Sequence, residues 1–148
     1  MQLAVAKADT IIGRLTADQK GKILLTADQV VTHEGKILEK PLDANEAREM
    51  MQGYGRSPCS TVGSCVLTDT ATGKRVQGVD VATVHFSPIP SETVESLIAE
   101  GEVFYCAGGL MVEHAQIRPC ITKMEGSEDS VMGLSPELLK RLWAEIHP

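Results

Sequence analysis

Apolar residues recur at helical spacing near the start of the chain, at Ala4, Ala8, Ile11 and Ile12, and predict a helix over 4–15. A β-branched and leucine-rich run then predicts a strand over 23–32, turned by His33-Glu34-Gly35-Lys36 into a short second strand over 37–39. Asp43 is placed to cap a helix, with Glu46 three residues on, as in a capping box. That helix carries Ala47, Met50, Met51 and Tyr54 on one face and stops at Gly53 and Gly55. Strands over 60–68 and 75–86 flank the turn Thr70-Ala71-Thr72-Gly73. Ser91 is expected to cap a helix reaching Ala99, with Gly101 as its stop signal. A strand over 116–124 contains Pro119, which suits a sheet edge or a bulge. Ser135-Pro136 opens a last helix with Pro at its first position and a stripe of Leu138, Leu139, Leu142, Trp143 and Ile146.

Strands and helices are interleaved, yet several strands follow one another as hairpins. The expected fold class is therefore α/β, with a mixed β-sheet and flanking helices. No repeat and no Pro/Gly/Ser-rich linker divides the 148 residues, so one domain over 1–148 is expected. At that size roughly 68% of the unfolded surface is buried on folding, enough for a core without disulfides or a structural metal. Aromatic residues are only 3% of the chain, so the core must come from Val, Ile, Leu, Met and Ala.

Charge narrows the functional classes. Twenty acidic residues against fourteen basic ones give a net charge of −6, which disfavours a nonspecific grip on a nucleic-acid polymer. A locally positive pocket for a small anion remains compatible with that balance. No run of 18 apolar residues is present, and the first residues do not form a secretory pattern, so a cytoplasmic protein without membrane association is expected. Cys59, Cys65, Cys106 and Cys120 form no CxxC pair, and His33, His85, His114 and His147 are scattered. Free thiols in a reducing compartment follow.

One segment stands out. In Leu24-Leu25-Thr26-Ala27-Asp28-Gln29-Val30-Val31 an acid and an amide interrupt an apolar strand. A buried carboxylate needs a partner, a cation or a water-filled cleft, whereas an Asp at a strand end needs none of these. Lys40-Pro41 follows just past the hairpin, which would return Lys40 toward the strand holding Asp28. A carboxylate facing a lysine suits a metal–phosphate site, the acid holding a cation or orienting water and the lysine binding phosphate. Taken singly, Lys40 and Lys7 are equally compatible with solvated surface lysines. Ala107-Gly108-Gly109 permits close backbone approach to a ligand, and Glu113 follows it on an expected short strand; a lone Gly-Gly is otherwise a turn. The polar segment 126–134 reads as a connection into the last helix.

The order of these pieces resembles the Maf family, also called septum-formation inhibitors. The resemblance is carried by Lys7-Ala8, Ala27-Asp28-Gln29-Val30-Val31, Lys40-Pro41, Asp43-Ala44-Asn45-Glu46-Ala47, Thr61-Val62-Gly63, Val84-His85-Phe86, Ala107-Gly108-Gly109 and Gly126-Ser127 to Gly133-Leu134. It covers essentially the whole chain in register. It implies an elongated α/β fold akin to the inosine triphosphate pyrophosphatases, usually dimeric. It also implies an enzyme that converts a nucleoside triphosphate to the monophosphate and pyrophosphate with a divalent cation, Mg²⁺ or Mn²⁺. On this resemblance Asp28 is a catalytic acid and metal ligand, Glu113 assists it, and Lys7, Gln29 and Lys40 bind substrate. Asp-Gln where other members have Asp-Thr, together with Glu113, looks like the subgroup acting on N7-methyl-GTP. The Asp-Thr subgroup favours dTTP and UTP.

Two departures accompany the resemblance. The family normally opens with a strand and a Ser-x-Ser-Pro-Arg-Arg loop that grips the triphosphate, and nothing before Lys7 supplies them. The expectation is an N-terminally shortened member lacking the usual first strand and phosphate loop. Its rival is a noncatalytic shortened chain that binds nucleotide weakly or acts by dimerisation. The family's Gly-Leu-Pro also reads here as Gly133-Leu134-Ser135-Pro136.

Overall fold

A computed structural model describes residues 1–147. Helix α1 spans Gln2–Ile12 and leads into strand β1, Ile23–His33, and the short β2, Lys36–Leu38. Helix α2, Ala44–Tyr54, precedes the long strands β3, Cys59–Asp69, and β4, Arg75–Phe86. Then come α3, Ser91–Glu100, β5, Ile121–Glu125, the short α4, Glu128–Met132, and α5, Pro136–Ile146. The five strands form one sheet in the order β2-β1-β3-β4-β5.

The α/β class and the flanking helices are as expected, but the strand pairings are antiparallel where a mixed sheet was expected. β1 pairs β2 and β4 pairs β5 in antiparallel register. Between β1 and β3, Thr32 Oγ1 donates to Ser60 O and Ser64 Oγ donates to Asp28 O, so numbering falls on one strand as it rises on the other. Each strand after the first thus follows a hairpin or a return from a peripheral helix.

Local chemistry explains most boundaries. Asp43 accepts from the backbone N–H groups of Asn45 and Glu46, while the Glu46 carboxylate reaches the Leu42 N–H rather than that of the cap itself. Ser135 caps α5 by accepting from the Leu138 N–H, with Pro136 in the first turn. Gly101 ends α3 in the left-handed region at φ 86°. Pro90, not Ser91, is the residue preceding α3, and Ser91 is its first helical residue. The strand expected over 116–124 begins only at Ile121, because Arg118–Cys120 form a 3-10 turn around Pro119, which has no N–H for a ladder.

The chain divides into two compact units. One comprises Met1–Gln29, Gly63–Asp80 and the chain from Gly133 onward. Its core is Cys65, Leu67, Leu138, Leu142 and Ile146, so the α5 stripe faces it with Leu138, Leu142 and Ile146 buried, Leu139 partly buried and Trp143 half-exposed. In this unit α1 packs its Ala4 and Ala8, both fully buried, and the Thr26 hydroxyl of β1 donates to Ala4 O at 2.7 Å. The other unit comprises Val30–Val62 and Val81–Met132. Its core is aliphatic with Met50 and Met51, plus Tyr54 and Phe86 stacked at 5.7 Å.

Candidate active site

Within the first unit, Asp28 sits in the middle of β1 and Lys7 on α1. The Lys7 ammonium donates to Asp28 Oδ1 at 2.8 Å and to Ala27 O at 3.0 Å. The small Ala4 and the Thr26–Ala4 bond bring the helix close enough for that reach. Asp28 is 20% exposed at its side chain and Lys7 51%, so the acid is sheltered while the cation faces outward. The Asp28 backbone carbonyl is fixed from the other side by Ser64 Oγ at 3.2 Å. Asp28 therefore answers the question posed by an acid in an apolar strand: it has a cationic partner. Its Oδ2 has no hydrogen-bond partner among the described residues and is open to a water, a cation or a phosphate-bound group.

Gln29, the next residue, belongs to the same unit and is half-buried. Gly133, at φ 124°, approaches it so closely that a Cβ there would lie 3.0 Å from Gln29 Oε1. The residue that limits the Gln29 carboxamide is thus the first of the Gly133-Leu134 pair, a role its turn-like sequence does not disclose.

Lys40 and Glu113 belong to the second unit, and both are exposed. Glu113 lies in a turn, not on the short strand expected for it, because the chain from Leu110 runs through successive turns before the 3-10 segment at Arg118. Both charges act on the half-buried Cys106 thiol. Burial pushes that thiol up, the charges of Glu113 and Glu102 push it further, and Lys40 pulls it back. The Ala107-Gly108-Gly109 turn follows Cys106 directly. Gly108 and Gly109 both have positive φ, at 64° and 59°. The Gly108 N–H donates to Glu39 O at 2.9 Å, which ties this turn to the residue beside Lys40.

Tyr54, at the end of α2, completes that arrangement. It is 1% exposed, and its hydroxyl donates to Gly108 O at 2.5 Å. Burial, with the Cys59 thiol beside it, raises the phenol well above its ordinary range, so it stays a donor. Cys59 itself is pushed up to about 12 by burial, which makes it an inert core thiol. All four cysteines are free.

The first unit thus carries a sheltered carboxylate held by a lysine, and the second an exposed lysine and, four residues past a glycine turn, an exposed glutamate. A profile for Maf-like proteins matches residues 1–146. The chain belongs to the Maf family. It is 37% identical over 145 residues to a 7-methyl-GTP pyrophosphatase of Dictyostelium discoideum, covering 95% of this chain and 73% of that protein. It is 32% identical to a nucleoside triphosphate pyrophosphatase of Salinispora tropica, over 99% of this chain and 65% of the relative. A dTTP/UTP pyrophosphatase of Syntrophotalea carbinolica is 35% identical, over 97% of this chain and 66% of its own length. This Maf chain thus spans about two thirds to three quarters of the length of these relatives.

Among the described residues no group of three or more His, Cys, Asp or Glu side chains could hold a metal ion alone. That donor set suits a cation delivered by a nucleotide, which keeps several waters and takes one or two carboxylates beside the phosphate oxygens. Asp28, sheltered and held on one oxygen by Lys7, is a single carboxylate of that kind. No helix of the described residues is long and apolar enough to cross a membrane.

Proposed function

We propose that the chain is a nucleoside triphosphate pyrophosphatase that hydrolyses its substrate to the monophosphate and pyrophosphate. The observation that carries this reading is the Lys7–Asp28 contact of 2.8 Å at a sheltered position of β1. The Asp28 carboxylate orients the attacking water and takes up its proton. Water adds in line at the α-phosphorus, the bond from that phosphorus to the bridging oxygen breaks, and pyrophosphate leaves. Lys7 holds Asp28 in place and adds positive charge for the phosphates. Lys40 supplies a further cationic contact, and Glu113 assists the water or the cation. A divalent cation, when bound by Asp28 together with the phosphate oxygens, would neutralise the charge that accumulates on the leaving group. Positioning and charge neutralisation are the main requirements of such a transfer.

The finer reading is a preference for a purine nucleotide of the N7-methyl-GTP class. Gln29 after Asp28, and Glu113 after the glycine turn, support it, as does the resemblance to the Dictyostelium enzyme. A cytoplasmic homodimer belongs to the same reading, and four free thiols are in keeping with a reducing compartment.

A panel of canonical and methylated nucleoside triphosphates, followed by pyrophosphate release with Mg²⁺, with Mn²⁺ and with chelator, tests this function. N7-methyl-GTP with cation should head the series, and chelator should abolish release. Hydrolysis of none of the panel would overturn the reading, and dTTP as the fastest substrate would overturn its finer part.

A further inference from the structure

We propose that the buried Tyr54 hydroxyl is a positioning group for the nucleotide site, holding the Ala107–Gly109 turn in register with Lys40. The inference rests on the reading that Lys40 contacts the phosphates. It deepens that reading by adding a residue that touches no substrate.

The geometry is over-determined at one residue, through the two peptide units that meet at Gly108. The Gly108 carbonyl accepts from Tyr54 Oη at 2.5 Å, and the Gly108 N–H donates to Glu39 O at 2.9 Å. Both polar groups of one glycine are therefore committed, one to α2 and one to the residue preceding Lys40. No other residue type fits. A Cβ on Gly108 would lie 2.5 Å from Tyr54 Oη and 3.0 Å from Val31 Cγ1, at a φ of +64° that L residues rarely adopt. Gly109 is similarly closed, its Cβ position lying 2.9 Å from Val103 Cγ2.

Tyr54 is itself held rigidly. Its ring stacks on Phe86 at 5.7 Å and meets the His33 ring edge-on at 5.3 Å. Stability alone would favour Phe at a position 1% exposed, because a hydroxyl there must find a partner. The partner it finds is the carbonyl at the centre of the glycine turn. Removing the hydroxyl leaves that carbonyl buried and unpaired, and a backbone adjustment at Gly108 that finds it a new partner would shift the turn and strain the neighbouring Gly108 N–H bond to Glu39 O. The role of Tyr54 is thus the register of Lys40, exerted through Gly108 and Glu39.

The test is a double-mutant cycle on binding of the α,β-methylene analogue of GTP, with guanosine as control, in the intact chain. Tyr54→Phe should weaken the analogue about five- to tenfold, leave guanosine unchanged, and have no further effect once Lys40 is Ala, the coupling expected of groups acting through one contact chain. A purely structural role would lower the melting temperature and weaken both ligands equally in both backgrounds, and that outcome overturns the proposal. So does unchanged affinity in Tyr54→Phe. If Tyr54→Phe fails to fold, 4-aminophenylalanine at position 54, which keeps a donor, replaces it. Wild-type affinity with retained Lys40 dependence supports the proposal, and a loss equal to that of Lys40→Ala overturns it. A wild-type chain that binds neither ligand and hydrolyses no triphosphate would instead remove the functional reading beneath it.

Discussion

Lys7 on α1 and Asp28 on β1 are separated by 21 residues in sequence and by 2.8 Å in space, with the acid less than half as exposed as the lysine. A half-exposed ion pair of this kind contributes little to stability, on the order of 0–1 kcal/mol. Its consequence is local: a carboxylate oriented by one oxygen and open at the other.

Asp28→Asn keeps the shape of the side chain but removes the charge that orients water or a cation. Turnover should fall by about 100-fold or more, with a melting temperature within a few degrees of the parent. Steady-state kinetics beside a thermal melt check both halves. Unchanged turnover with unchanged cation dependence would remove Asp28 from the chemistry.

Lys7→Ala and Lys40→Ala should each weaken a triphosphate more than its nucleoside, by about 1.5–3 kcal/mol for a charge-assisted contact. Calorimetric titration with both ligands gives the difference directly. Equal affinities before and after substitution would assign both lysines to solvent.

Base choice should follow the Gln29 carboxamide. Gly133→Ala places a methyl where a Cβ lies 3.0 Å from Gln29 Oε1, at a φ of +124°. The ratio of kcat/KM for N7-methyl-GTP over dTTP should narrow by about tenfold, equivalent to ~1.4 kcal/mol. The same substitution in a Gln29→Ala background should leave that ratio where Gln29→Ala alone puts it. Additive changes would separate Gly133 from base choice.

A stability prediction lies away from these residues. Gly55 follows α2, and a Cβ on it would lie 2.8 Å from the Pro88 Cα, a backbone atom that cannot rotate aside. Gly55→Ala should cost roughly 1–3 kcal/mol, the range for forced overpacking, read as a lower urea midpoint with the slope unchanged. A midpoint equal to the parent would mean the Pro88 segment yields more easily than its packing indicates.

Much of the frame was legible because its signals are local. Ser135-Pro136 announced α5 through cap and first-turn chemistry, and the turn Thr70-Ala71-Thr72-Gly73 announced the returning strand β4 over Arg75–Phe86. Asp28 was conspicuous because a carboxylate among Leu and Val must be accounted for. The fine placement was not legible, since it depends on contacts between distant segments. Lys7 looked like any helix lysine until Ala4 and Thr26 set the approach of α1 to β1. Glu113 was expected on a strand, but the positive φ of Gly108 and Gly109 turns the chain before one forms. Tyr54 read as one more apolar position on α2, because its hydroxyl partner lies 54 residues away.

The most direct test of the central claim locates the bond that breaks. Hydrolysis of N7-methyl-GTP in ¹⁸O-labelled water, with Mg²⁺, should yield equal amounts of monophosphate and pyrophosphate, with the label in the monophosphate and none in the pyrophosphate. Label in the pyrophosphate, or release of orthophosphate and a nucleoside diphosphate, would contradict attack at the α-phosphorus and the account built on Asp28.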